Sequence, residues 1–327
     1  MPTHARGHHS TATMTTTATT STVAATTTIV SQGQPTGYYW IGDFSTGNFS
    51  QFDIAENTGN TVTDPDVGLT AGNVVLAKQV PGYTLSSNLC RTLASDGLPT
   101  SGGGAASTLW CHNYFTAAWL QNGATTWFRT MFLLPDNTDP NYPGHWIVRA
   151  GDGLGANWHI MMEWHIDDGA FAPHGGGTAG STVMEIGLGA YGGPSLLLRP
   201  IGGFYQQTIG DYYYETDQVQ TINNSATRTP GPVGNVQLLQ YNHWYDVLVK
   251  MVFSPDPAIG HIDWYVNGHL RFSDFYPTLN SAADGFVPGC GFEGGLYRNT
   301  GLEPNSPNEF LYQGPMVAGP TRASVGG

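Results

Sequence analysis

The sequence predicts an all-β protein: two antiparallel sheets packed face to face as a jelly-roll sandwich. Three observations carry this. Residues 158–167 alternate, with Trp158, Ile160, Met162, Trp164 and Ile166 apolar and His159, Met161, Glu163, His165 and Asp167 between them, all but Met161 ionisable. A strand sends successive side chains to opposite faces, so this run is a strand with one face in a core and one carrying acid–base groups. Two alternating runs between 262 and 272 flank Asn267-Gly268, the pair suited to a type I′ hairpin turn. Finally, the 44 glycines and 21 prolines suit many strands joined by turns, and no segment shows a helical period.

Taken in order, residues 1–36 form a Thr-rich, low-complexity arm that cannot bury enough apolar area to fold by itself. Its β-branched composition favours an extended form against a partner. Residues 37–327 are expected to be one jelly-roll domain, since all-β sandwiches of this length occur as single domains. The run 127–134 reads as a strand ended by Pro135, and 146–150 as a short strand. Strands follow at 183–188 and 196–199, separated by Gly192-Gly193-Pro194. In the run 244–253, Tyr245, Val247, Val249, Met251 and Phe253 share one face, with Asp246 and Lys250 on the other. The last runs are 291–297 and 310–317.

Charged residues are 11% of the chain, against about 25% in ordinary soluble domains. The formal net charge is −13, and Lys78 and Lys250 are the only lysines. An acidic surface disfavours nucleic acid and anionic membranes. No apolar run approaches the ~20 residues of a membrane span, and the polar N-terminus does not read as a Sec signal. Cys90, Cys111 and Cys290 are three, an odd number, and are read as buried free thiols.

Several groups are candidates for chemistry. Glu163 and His165 are two residues apart on one strand face, about 7 Å, and can flank a substrate as carboxylate and acid–base imidazole. Arg129, Arg149 and Arg298 can each hold a carboxylate through paired hydrogen bonds or serve in a salt bridge with one of the many acids. Tyr212, Tyr213, Tyr214, Trp244 and Tyr245 offer aromatic surface for stacking on sugars. Asp136, Asp139 and Asn141 crowd one loop and offer hard oxygens to Ca²⁺, although no EF-hand spacing is present. No other cofactor or metal site is expected. Signatures of serine hydrolases, P-loop enzymes and zinc peptidases are absent.

These segments resemble the concanavalin A-like jelly-roll polysaccharide lyases, the alginate, glucuronan and heparin lyase I-like group. The resembling pieces are residues 42–52, Trp127-Phe128-Arg129 running to Leu134-Pro135, Glu163-Trp164-His165, Trp244-Tyr245-Asp246 and residues 292–298 (Phe-Glu-Gly-Gly-Leu-Tyr-Arg). The resemblance implies His165 and Tyr297 as the base and acid of a β-elimination, with Arg129 and the residue at 163 neutralising a uronate carboxylate. His159, Arg149, Glu293, Arg298, Lys250 and Trp244 are the candidate glycan contacts. Two positions depart from the pattern: Glu163 stands where the family has Gln, and Glu293 where it has Lys. The family's Arg-rich strand has only Arg91 near it.

Three function classes follow. One is a glycan-binding or structural jelly roll, extracellular or on a bacteriophage virion surface. Its partners would be a polysaccharide, other coat proteins through residues 1–36, and further copies of itself. The second is a lyase using His165, Tyr297, Glu163 and Arg129. The third is a glycoside hydrolase with Glu163 and Glu293 as its carboxyl pair.

Overall fold

The computed structural model describes residues 35–52, 54–56, 74–76, 88–94, 104–111, 116–135, 159–166, 182–190, 194–202, 207–208, 212–217, 219–221, 235–279, 290–299 and 309–327. Seventeen strands fall in these segments, and the helical content among them is two single 3-10 turns, Ala118–Leu120 and Ala323–Val325. The expected loop of Asp136, Asp139 and Asn141, the strand at 146–150, Arg149, Trp158 and residues 1–34 of the arm lie outside the described residues.

The first sheet is built on β3 (Val74–Leu76), β4 (Asn88–Ala94), β6 (Thr125–Leu133), β12 (Trp244–Val252), β13 (His261–Val266), β14 (His269–Phe275) and β16 (Glu309–Gln313). They run in the order β14-β13-β12-β6-β16-β4-β3. Strand β17 (Met316–Gly319) also pairs β6, and β1 (Trp40–Gly42) pairs β17. The second sheet has the order β10-β9-β8-β7-β15-β5-β2. Its members are β2 (Ile54–Glu56), β5 (Gly104–Trp110), β7 (His159–Ile166), β8 (Thr182–Ala190), β9 (Pro194–Gly202), β10 (Gln207–Thr208) and β15 (Cys290–Asn299), with β11 (Tyr212–Tyr213) beside β9. Every pairing between named strands is antiparallel. The expected two-sheet sandwich is present.

Alternation explains the core. Tyr245, Val247, Val249, Met251 and Phe253 point between the sheets, while Asp246, Leu248 and Lys250 lie on the outer face of the first sheet. The turn between β13 and β14 holds Asn267 at φ 51° and Gly268 at φ 80°, the paired left-handed residues of a type I′ hairpin. One aromatic cluster ties the sheets together. Phe128 of β6 meets Trp164 of β7 at 5.3 Å and Phe292 of β15 at 4.7 Å, and Trp164 stacks on Phe292 at 5.2 Å. All three are fully buried. Cys90, Cys111 and Cys290 are free and buried in this core.

Two local expectations are corrected. The single run expected at 310–317 is two strands, β16 and β17, because Gly314-Pro315 interrupts the ladder and proline has no amide hydrogen to give it. The alternation expected through 158–167 is broken in β7. Ile160 pairs Gly187 and Met162 pairs Ile186, leaving Met161 as an extra residue, a β-bulge. Met161 and Met162 both enter the core, whereas Ile160 joins Leu197 and Tyr213 in a separate cluster on the outer face of the second sheet.

Candidate functional site

The site is built by cross-strand register on the outer face of the second sheet. Trp164 and Met162 face the core, so Glu163 between them faces outward. On β15, Phe292 faces the core and Gly294 faces the first sheet, where a Cβ would lie 2.6 Å from Gln313 Nε2 and 2.8 Å from Met316 Sδ. Glu293 between them therefore faces outward as well. Glu163 and Glu293 are direct partners, and Glu163 is also the partner of Glu185. Continuing both ways, Glu293 pairs Trp110 and Glu185 pairs Arg199. One rung across five strands thus reads Trp110, Glu293, Glu163, Glu185, Arg199. Directly opposed residues have Cβ atoms about 4.5–5.5 Å apart.

Glu163 and Glu293 are 3% and 4% exposed. Together with Ile160, Met161, Met162, Gly294 and Gly295 they surround a packing gap at the bulge too small to hold a water molecule. The bulge is matched on β15: from Gly294 to Tyr297 the partner strand advances only from Met162 to Ile160, and Gly295 takes φ 136°. Glycine alone adopts such a φ without strain. The adjacent outward rung runs Tyr297, Ile160, Gly187, Leu197, Tyr213. Its described side chains are apolar or aromatic, with Ile160 and Leu197 buried under a half-buried Tyr213. On the other side of the carboxylate rung, position 165 pairs Gly291 and Thr182.

The carboxylates are held from below. Trp164 and Phe292, each next in sequence to one of the two glutamates, stack on each other inside the sandwich. The aromatic cluster therefore fixes the strand backbones that present Glu163 and Glu293.

The predicted residues divide as follows. Glu163 and Glu293 come together as neighbours. His165 and Tyr297 occupy backbone positions one rung to either side of them. His159 and Arg298 are each other's register partners, and their rung continues through Leu188 to Leu196. Arg129 is not at this site. It lies on the outer face of the first sheet, where its Nε donates to Asp246 Oδ1 at 2.8 Å and its Nη1 to the carbonyls of Val325 and Gly326. Its residue is 3% exposed, and this is the salt-bridge role open to it from the sequence. Lys250 is on that same sheet, paired with Asp263 at 3.2 Å, as is the buried Trp244. Burial raises the Asp246 carboxyl, against the pull of Arg129 and Arg322. Two charged members of the carboxylate rung were not singled out from sequence, Glu185 and Arg199. Their signal was the interruption of apolar alternation at Met184-Glu185-Ile186 and at Leu198-Arg199.

Among the described residues, no group of three or more His, Cys, Asp or Glu side chains is arranged to hold a metal ion. No helix of the described residues is long and apolar enough to cross a membrane.

No family model matches the chain, and no curated protein matches it in sequence. Solved structures do match in shape. An endo-β-1,4-glucuronan lyase from the fungus Trichoderma reesei superposes with a TM-score of 0.55 at 14% identity, covering 88% of this chain and 98% of the lyase. The fold is that of the jelly-roll polysaccharide lyases. An alginate lyase from Pseudomonas aeruginosa gives 0.39 at 12% identity, covering 71% and 82% of the two chains. A GH131 β-glucanase catalytic domain from Podospora anserina gives 0.43 at 14% identity, covering 89% and 99%. The jelly roll of the glucuronan lyase matches 88% of this chain, in which Glu163 and Glu293 lie on the outer face of the second sheet.

Proposed function

We propose that this protein binds a polysaccharide on the outer face of its second sheet, and that the sugar at the carboxylate rung is uncharged. The observation that carries this reading is the register of Glu293, Glu163 and Glu185 on three adjacent strands. A uronate carboxylate set against one such glutamate at ~4 Å, with an effective dielectric near ~20, meets a repulsion of about 4 kcal/mol. Sugar hydroxyls instead donate hydrogen bonds to carboxylates, and these charge-assisted bonds are the strong ones. The neighbouring apolar rung, with Tyr213 at its end, suits the C–H face of a pyranose.

Electrostatics therefore weighs against β-elimination of a uronate here, even with His165 and Tyr297 placed one rung to either side. The direct pairing of Glu163 with Glu293 supports a second reading, glycoside hydrolysis with these two as acid and nucleophile or base. The binding reading also retains the extracellular or virion-surface setting, with residues 1–36 docking the domain onto coat proteins or further copies. Removal of residues 1–34 is then expected to abolish assembly and leave glycan binding intact.

The test is a panel of neutral glucans, mannans and xylans beside alginate and glucuronan, presented to the wild type and to Glu163→Gln. Binding to a neutral glycan that the substitution weakens supports the proposal. New reducing ends would favour hydrolysis, and preferential binding to the uronate polymers would sink the reading.

A further inference from the structure

The outer face of the first sheet carries a second polar and aromatic surface, on the opposite side of the sandwich from Glu163. One rung there reads Gly319, Trp127, Lys250, Asp263, Ser273, and the next reads Val317, Arg129, Leu248, Tyr265. Trp127 of β6 and Tyr265 of β13 are half-buried and meet across β12, with ring centroids 5.8 Å apart and planes inclined at 32°. Beneath them lie Leu248, Val317 and Val325, all fully or almost fully buried. The rings therefore have a rigid apolar floor and part of their surface toward solvent.

Hydrogen-bonding groups border the rings on both sides. Asp263 accepts from Lys250 Nζ at 3.2 Å and from Ser273 Oγ at 2.7 Å, and His261 Nδ1 is 3.6 Å from the same carboxylate. The Lys250 side chain remains 30% exposed, and its ammonium has donors beyond the one given to Asp263. The Arg322 guanidinium lies over one face of the Tyr265 ring, 4.8 Å from its centroid, and gives one bond to the Gly268 carbonyl, so Trp127 is the ring left for stacking. Three of the chain's eleven basic residues, Arg129, Lys250 and Arg322, gather on this face. Arg129 and Lys250 are each matched by an aspartate, so the face lacks the carboxylate excess of the chain as a whole.

We infer that the Trp127–Tyr265 surface is a second polysaccharide contact, taking a hydroxyl-rich chain whose sugar faces stack on Trp127. Lys250 and Arg322 hydrogen-bond its hydroxyls from either side. Rings with a buried floor lose little freedom on binding, and Lys and Arg donors flanking them match hydroxyl acceptors. This inference rests on the proposed glycan-binding function and adds a contact on the other sheet, so one long chain or two separate chains can be engaged.

The experiment is affinity electrophoresis of the full chain through gels containing the neutral polysaccharide that retards the wild type most. The variants are Trp127→Ala, Tyr265→Ala, Trp127→Phe, the rim variants Lys250→Ala and Arg322→Ala, and Glu163→Gln, with thermal midpoints measured in parallel. Loss of either ring should raise the apparent Kd roughly fivefold, and Trp127→Phe should restore most of it. Lys250→Ala and Arg322→Ala, which leave the floor intact, should each weaken retardation by more than the loss of the Lys250–Asp263 pair or of the Arg322–Gly268 bond lowers the midpoint. A purely structural role would lower the midpoint of the ring variants and leave the rim variants retarded like the wild type, and that overturns the inference. If ring and rim variants all migrate as the wild type while Glu163→Gln is released, the second contact falls and the first stands. If the wild type is retarded by no polysaccharide, both fall.

Discussion

Replacing Arg129 with Met separates a structural arginine from a substrate-binding one. Its guanidinium is buried between Asp246 and the carbonyls of Val325 and Gly326, so it ties β6 and β12 to the C-terminal turn. Removing one partner of a buried ion pair typically costs about 3–5 kcal/mol, because the other charge is left without compensation. Burial already holds the Asp246 carboxyl above its ordinary value of 3.8, and Arg129 is the largest opposing pull. An acid whose folded pKa is raised binds protons more readily when folded, so its contribution to stability falls as pH rises from the unfolded value through the folded one. Without Arg129 that folded value climbs further. The loss in Arg129→Met is then greatest near pH 7 and partly recovered near about pH 5. Adding Asp246→Leu removes the stranded carboxylate and should return the midpoint toward the wild type. Thermal or urea unfolding at both pH values reads all three effects, and glycan retardation should be unchanged at temperatures where the variant is folded. An Arg129→Met protein that melts like the wild type but no longer engages glycan would refute the reasoning and return Arg129 to the site.

Glu163→Gln keeps the side-chain volume and should weaken glycan binding, read by retardation beside urea unfolding of the same variant. Phe292→Ala should cost about 3–5 kcal/mol, since it opens a cavity in the cluster that backs both glutamates, and chemical denaturation measures it directly. Gly295→Ala places a side chain at φ 136° in the bulge, and strain of about 1–3 kcal/mol should appear with a loss of glycan binding larger than the stability change explains.

Strand faces with a simple period were legible. The β12 alternation and the Asn267-Gly268 hairpin appear as the sequence implied, because each is set by local chemistry. So was the outward pairing of Glu163 with an opposite apolar face. The bulge at Met161 was not legible, because a methionine can sit on either side of a pleat without contradicting an alternating pattern. That one residue brought Ile160 to the outer face beside Leu197. The sequence also gave no way to separate Arg129 from the acid–base residues. Its partner Asp246 is 117 positions away, and only the folded sandwich puts these two on the first sheet and Glu163 and Glu293 on the second. Glu185 was hidden for the same reason, since it joins Glu163 only through strand order.

The central claim is that the carboxylate rung selects an uncharged sugar. Its most direct test is equilibrium binding of the wild-type chain to a neutral β-glucan and to glucuronan of matched length, with ultraviolet absorbance followed for unsaturated uronate. The account predicts binding to the neutral chain, weaker binding to glucuronan, and a flat absorbance trace. Preferential binding to glucuronan, with an absorbance rise that His165→Ala removes, would contradict it.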